Sequence, residues 1–410
     1  MEPYASPDAP VAALRGDLDI QLIRDNGEEM LLLRDPAGYS GEMLVFKPQA
    51  WALLSLFDGV RSVHSLQQEI FEATKTHVDA EQLIGIVRAL DTYLFLDNER
   101  FAEAKAQSDE QYRKAGLRPA VHAGASYPED AEELRAFLTA LFKEQAPAQD
   151  AGRVVGVLAP HIDLQIGPDV YVPAFEALCS TDADTIVVLG TSHYSDEDVF
   201  ILTSKHYETP LGVLPTDQEF VAVLREKSGG IFTTSDLAHR MEHSIEFPVL
   251  FLQHLFGNEG PRIVPILVTS FEEYLVEGRE ISEDERYAAF IRAFHETVEA
   301  LGRKVVFVLS VDWSHVGRKF GDGVDAAEVL DAVRVSDIQQ LEALERCAYG
   351  EFRELLRAGA NATRIDGFSC ITTFFDLATP RRGALLGYRQ WHEEERASAV
   401  SFASMAFYAK

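Results

Sequence analysis

Apolar and polar positions alternate between Asp17 and Arg34, on either side of Asn26-Gly27, the period-two pattern of two strands joined by a tight turn. The period then changes. QAWALLSLFDG (49–59) spaces Trp51, Leu54 and Phe57 as a helix would and stops at Gly59, a residue suited to a left-handed cap. SVHSLQQEIFEATK (62–75) starts on the capping residue Ser62, and DAEQLIGIVRALDTYLFL (79–96) starts on Asp79. A hairpin followed by three short helices predicts a small α+β module over residues 1–100. Residues 101–118 (FAEAKAQSDEQYRKAGLR) are charged, rich in alanine and poor in large apolar side chains, which predicts a linker helix.

From residue 119 to 410 short aliphatic runs alternate with amphipathic stretches. VVGVLAP (154–160), TIVVLG (185–190), RIVPILV (262–268) and KVVFVLS (304–310) are continuous enough to be central strands covered on both faces. DVYVPAFEALCS (169–180), QEFVAVLREKSG (218–229) and SEDERYAAFIRAFHETVEAL (282–301) read as the helices between them. This predicts an α/β domain with a central mixed, largely parallel sheet flanked by helices. Near the end, 383–390 and 398–409 read as two antiparallel strands at a sheet edge.

Composition narrows the function classes. The 37 lysines and arginines against 66 aspartates and glutamates give a net charge of −29, which repels phosphate backbones and anionic lipid. Within residues 1–110 nine basic stand against 20 acidic residues, so the one segment shaped like a DNA reader is electrostatically unsuited to DNA. Neither a nucleic-acid nor a membrane partner is expected. The three cysteines, Cys179, Cys347 and Cys370, are too few and too scattered for a disulfide framework. The start, MEPYASPDAP, has neither a basic n-region nor an apolar h-region, and a cytoplasmic protein is expected.

In open α/β sheets ligands gather at the carboxyl ends of the strands. Three runs deliver histidine there: VVGVLAP leads into His161, TIVVLGTS into His193, and VVFVLSV into Asp312-Trp313-Ser314-His315. Any single histidine at a strand end is ordinarily a hydrogen-bonded surface residue; convergence makes a metal site the better reading. Cys370, in GFSCITTFFDLA (367–378), stands near the start of an apolar helix, where the helix dipole is expected to favour its thiolate. Imidazole and thiolate suit iron, zinc or copper. A further cluster, Glu242, His243 and Glu246, opens the apolar stretch 238–256; with no second histidine four residues after His243 it is not a zinc-protease motif. Glu242 and His243 are expected to act beside the metal as an orienting carboxylate and an acid-base imidazole.

Several blocks in this order resemble the Memo family, the B component of the AmmeMemoRadiSam group, which is similar in fold to class III extradiol dioxygenases. They are AVHAGASYP (120–128), LAPHIDLQIGPDVYVPAFEAL (158–178), VVLGTSHYS (187–195), ETPLGVLPTD (208–217), MEHSIEFPVLFLQ (241–253), LSVDWSHVGRKF (309–320) and DGFSCITTFF (366–375). The resemblance implies metal ligands at His161, His193 and Cys370, with Glu242, His243, Asp312 and His315 as the surrounding catalytic groups. It also implies a non-haem iron, with copper or zinc as alternatives. One departure stands out: Ile162, Asp163 and Leu164 follow His161 where the family has Ala-Gly-Tyr. A thiolate in place of the carboxylate that ring-cleaving relatives use puts dioxygenase activity itself in question.

The first hundred residues resemble the winged-helix-like PqqD family of peptide-recognition domains, on the order of elements and the text LLSLFDGVRSVHSL. That implies a peptide or protein partner for the first module, and the Memo resemblance implies a radical SAM protein and an AMMECR-type protein as partners. Two alternatives to an oxidative metalloenzyme follow: a non-enzymatic binding component with a vestigial pocket, and a zinc hydrolase.

Overall fold

The computed structural model describes residues 7–25, 27–143 and 152–409. Residues 1–114 and 115–410 form two compact units. In the first, β1 (Asp19–Asp25) and β2 (Glu28–Arg34) pair antiparallel with Asp25 opposite Glu28, so a two-residue turn closes the hairpin. Gly27 supplies the positive φ of 85° that such a turn requires; Asn26 lies outside the described residues. β3 (Leu44–Phe46) adds a third strand on β2, too short for alternation to predict it.

Ser62 caps α1 (Val63–Thr74), its hydroxyl accepting the Ser65 N–H at 3.3 Å, and α2 (Ala80–Thr92) follows Asp79. The helix expected over 49–59 is a single turn, Trp51–Leu54. Leu56 and Phe57 donate three residues back, to Leu53 and Leu54, so the chain tightens out of the helix well before Gly59. The linker segment holds α3 (Glu99–Lys114), which packs within the first unit. Phe101 lies 3.9 Å from the buried Arg15 guanidinium, and Asp109 accepts from Tyr39 at 2.9 Å and from Lys105 at 2.8 Å. Leu117–Arg118, expected at the end of that helix, is instead a short strand paired with His206–Tyr207 in the second unit.

The second unit is built on an eight-stranded mixed sheet. Its strands are β4 (Val154–Ala159), β5 (Thr185–Thr191), β6 (Phe200–Leu202), β7 (Arg262–Val268), β8 (Val305–Ser310), β9 (His315–Gly317), β10 (Arg382–Glu393) and β11 (Ser398–Tyr408). The four aliphatic runs are its centre, mutually parallel in the order β4-β8-β5-β7. β6 pairs antiparallel on β7. β10 pairs along the length of β11, whose opposite edge is shared between β4, at Met405–Tyr408, and β9, at Ser398–Val400. The α/β architecture with a largely parallel centre and an antiparallel edge is thus the one the pattern predicts.

Successive residues of the central strands feed two cores. Val187, Leu189, Phe307 and Leu309 face α5 (Gln218–Lys227), α7 (Glu285–Leu301) and α8 (Phe368–Ala378). Ile186, Val188, Val306 and Val308 face α4 (Pro168–Glu176) and α6 (His243–Phe256). Phe247, Leu250, Phe251 and Leu252 of α6 are all buried, each contributing roughly 1.5–3 kcal/mol that anchors the helix on the sheet. No helix among the described residues is long and apolar enough to cross a membrane.

Candidate metal centre

The ladder pairs Ser310 with both Ala159 and Gly190, and Gly190 with Leu267, so these four residues form one row across the sheet. Just beyond that row β4 leads into His161, β5 into His193 and β8 into Asp312. In-register parallel pairing therefore brings residues that are remote in sequence to one edge. α6 reaches the same edge from the side. A Cβ at position 190 would stand 2.6 Å from Ser244 Oγ and 2.7 Å from Ile245 Cδ1, so the helix start seats against β5 because Gly190 has no side chain. The Ser244 hydroxyl then donates to Thr191 O at 2.9 Å.

Three imidazoles meet there. The ring centroids of His161, His193 and His243 are 5.1, 5.0 and 4.8 Å apart, and one nitrogen from each lies within 4.8 Å of the others. Their orientations are fixed from behind. His161 Nδ1–H donates to Ser310 O at 3.0 Å and His193 Nδ1–H donates to Glu242 at 2.9 Å, which leaves both Nε2 atoms facing the centre. Glu242, fully buried, also accepts the His193 backbone N–H at 2.8 Å and caps α6 through Ser244 N–H at 3.1 Å. Its oxygen lies 3.4 Å from His243 Nδ1. Asp366 lies beside two of them, its carboxylate 3.0 Å from His161 Nε2 and 3.9 Å from His193 Nε2. The Asp366 carboxylate thus pairs with the His161 imidazole at the edge of the cluster.

A family model described as Memo-like protein matches residues 118–406. The chain belongs to the Memo-like family. Residues 120–375, which hold the blocks that carried the resemblance, lie inside the match. This Memo-like protein is 32% identical over 390 residues to a MEMO1 family protein of Aquifex aeolicus, covering 93% of this chain and 96% of that one. It is 32% identical over 347 residues to a MEMO1 family protein of Thermus thermophilus, covering 83% and 97% of the two. A MEMO1 family protein of Methanopyrus kandleri is 29% identical over 247 residues. The 390 matched residues of the Aquifex protein exceed the length of the second unit, so that likeness extends into the first.

Burial and charge oppose each other throughout the centre of this Memo-like protein. Burial works against a charged His161, but Asp312 and Asp366 outweigh it and raise the imidazole to about 10. Burial likewise opposes charging of His193, and Glu242 overcomes it, so His193 is raised. His243 goes the other way, held well below its ordinary value by burial and by the neighbouring His193. Glu242 resists burial through His193 and is held far below the usual carboxylate range. Asp366 is lowered against its own burial, chiefly by His161, while burial raises Asp312.

The structure separates the expected site residues. His161, His193 and His243 come together with Glu242 behind them, so His243 faces the other two imidazoles directly rather than standing beyond them. Asp312 accepts the backbone N–H groups of His161 and Ile162 at 2.9 and 3.0 Å and holds the turn after β4. His315 Nδ1 donates to Trp313 O at 3.0 Å. Cys370 is fully buried with Thr191 Oγ1 as its polar neighbour at 3.9 Å. The thiolate expected from the helix dipole is not favoured: burial, and then the Asp366 charge, push the thiol pKa up.

The sequence does not assemble two further parts. Asp366 lies four residues before Cys370, but only the fold shows that it turns toward the imidazoles. Arg118 and Glu246, both fully buried, form an ion pair 128 residues apart in the chain. Arg118 also donates to Glu242 O at 2.6 Å and His239 O at 3.0 Å, and Glu246 accepts the His122 N–H at 3.0 Å. This clamp sets the start of α6. A signal existed in the HSIE spacing, which puts Glu246 one turn beyond Glu242, but nothing in the sequence names its partner.

Proposed function

We propose that this Memo-like protein carries non-haem iron on His161, His193 and His243, with the Asp366 carboxylate as the anionic donor beside them, and that its chemistry is oxidative. The observation that carries this reading is the convergence of three imidazole nitrogens within 4.8 Å of one another, with the Asp366 carboxylate 3.0 Å from His161 Nε2. A donor set of imidazoles and one carboxylate suits iron(II) and zinc; bringing in Cys370 as a thiolate would shift the preference toward zinc or copper(I). When bound, a redox-active metal supplies electron transfer to and from small molecules or dioxygen.

The chain's own residues supply the rest. Glu242 and Ser310 O fix the faces of His193 and His161, and Asp312 fixes the turn that carries His161. His315, with Nδ1 committed to Trp313 O, keeps Nε2 for holding or passing a proton. Metal analysis of protein purified without oxygen tests the reading. Iron is expected at about one per chain, and undiminished metal in a His161→Ala/His193→Ala variant would overturn it.

A second reading rests on the first unit, where Leu22, Met43 and Val60 are 61%, 65% and 76% exposed. The resemblance of this unit to peptide-recognition domains supports docking of a peptide or of the radical SAM or AMMECR-type partner, with these side chains as the positions to test. Retention of a partner by the full chain, lost in Leu22→Asp/Met43→Asp, would favour it.

A further inference from the structure

Asp366 and His315 stand far apart in the chain, and the connection 359–367, between the helix Tyr349–Ala358 and α8, carries the first and is bonded to the second. Three of its non-glycine residues are left-handed: Ala360, Asn361 and Arg364, at φ of 47°, 47° and 54°. Asparagine tolerates that region, whereas alanine and arginine enter it at a cost and stay only where the surroundings impose it. Asn361 ties the connection to itself, its Oδ1 accepting the Ile365 N–H at 2.9 Å. Arg364 ties it to the rest of the fold.

The Arg364 guanidinium donates to both oxygens of Asp322, at 2.6 and 3.2 Å, the forked geometry in which arginine fixes direction as well as distance. Asp322 also accepts the Gly317 N–H at 2.7 Å, so the pair reaches β9. His315, at the start of β9, meets the same connection at three atoms. Its N–H donates to Thr363 O at 2.7 Å, its Nδ1–H is shared between Arg364 O at 3.1 Å and Trp313 O at 3.0 Å, and its O accepts from Arg364 at 3.1 Å. Asp366 follows two residues later, its carboxylate 3.0 Å from His161 Nε2. Gly367 then closes on the end of β8, where a Cβ would stand 3.0 Å from Val311 Cβ.

We infer that Arg364, through Asp322, is a positioning residue of the metal centre: the pair holds the connection in its left-handed course and so sets where the Asp366 carboxylate and the His315 ring stand. What those two groups do rests on the metal-centre reading; how they are placed rests on the connection alone.

The test titrates cobalt(II) into the full chain stripped of metal, reading affinity and the visible absorption bands, which report the donors around the ion. Arg364→Ala and Asp322→Asn are each expected to bind cobalt about tenfold or more weakly, with the same shifted bands, and the double variant to be no worse than either single one. Ala360→Gly, which eases the backbone and leaves the pair, is expected to keep the parent spectrum and affinity. Variants that melt lower with bands and affinity unmoved would show support of the fold alone and overturn the inference, as would additive losses in the double variant. A parent chain that takes up no cobalt would overturn the metal-centre reading instead. Amide exchange in the metal-free chain then decides the inference: the His315 and Gly317 amides are expected to exchange about tenfold or more faster in both variants, and unchanged exchange would overturn it.

Discussion

Glu242 holds His193 at two points, the backbone N–H at 2.8 Å and the imidazole Nδ1 at 2.9 Å. One buried carboxylate therefore fixes where the residue after β5 lies and which way its ring faces. Glu242→Gln keeps the shape, removes the charge and exchanges an acceptor for a donor that opposes Nδ1–H. Metal affinity is expected to fall by about 10–100-fold with the secondary structure unchanged, by calorimetric titration and circular dichroism. Unaltered affinity would remove Glu242 from the centre.

His243 and Cys370 compete for the place beside His161 and His193. His243→Ala is expected to lose nearly all bound metal, because it removes one corner of the imidazole cluster. Cys370→Ser is expected to keep most of it while costing roughly 1–3 kcal/mol of stability, since a hydroxyl replaces a thiol in a fully buried site. Elemental analysis of the two variants side by side decides the matter, and the reverse pattern would establish a mixed nitrogen and sulfur centre.

His161 couples the centre to pH. Its imidazole is raised to about 10 in the folded chain, against an ordinary value of about 6.5. The stabilisation from its charged form is complete below about pH 6.5 and is lost as pH rises toward 10. Glu242 has the opposite sign: its folded value is depressed, so its contribution is present above the ordinary carboxylate range and lost in acid. Metal-free protein is thus expected to lose thermal stability steadily through the alkaline range. Metal-loaded protein, in which the ligand imidazole is already neutral, is expected to show no such decline over that interval. Melting temperatures of both forms between pH 6 and 10 test this, and parallel curves would refute it.

Arg118 and Glu246 are both inaccessible to solvent, so removing either leaves the other charged and uncompensated. Arg118→Ala is expected to cost about 3–5 kcal/mol, seen as a lower denaturant midpoint, and the double variant Arg118→Met/Glu246→Leu to cost less than the single one. Equal losses from the single and double variants would mean that the pair is not coupled.

Much of the fold was legible because its central strands are long aliphatic runs and its helices carry clear stripes and caps; Val157, Val188, Ile266 and Val308 lie in the sheet where the pattern placed them. His161 and His193 were legible for the same reason, each standing directly after such a run. His243 was harder, because its place depends on how closely α6 approaches β5, and that is decided by an absent side chain at Gly190. Cys370 was placed correctly along the chain, but its chemical state is set by its burial among core side chains, which outweighs the helix dipole. Asp366 and Arg118 depend on contacts across more than a hundred residues, for which local periodicity carries no information.

The row formed by Ala159, Ser310, Gly190 and Leu267 makes the centre a matter of counting as well as of chemistry. Each donor lies a set number of residues past a backbone ladder whose side chains alternate faces at every step. Deleting Pro160, or inserting one residue between Gly190 and His193, would therefore swing an imidazole away from its neighbours while leaving every ligand present in the sequence. Spacing in this protein is as much a part of the site as the histidines themselves, and relatives can be screened for competence by that interval before any residue is compared.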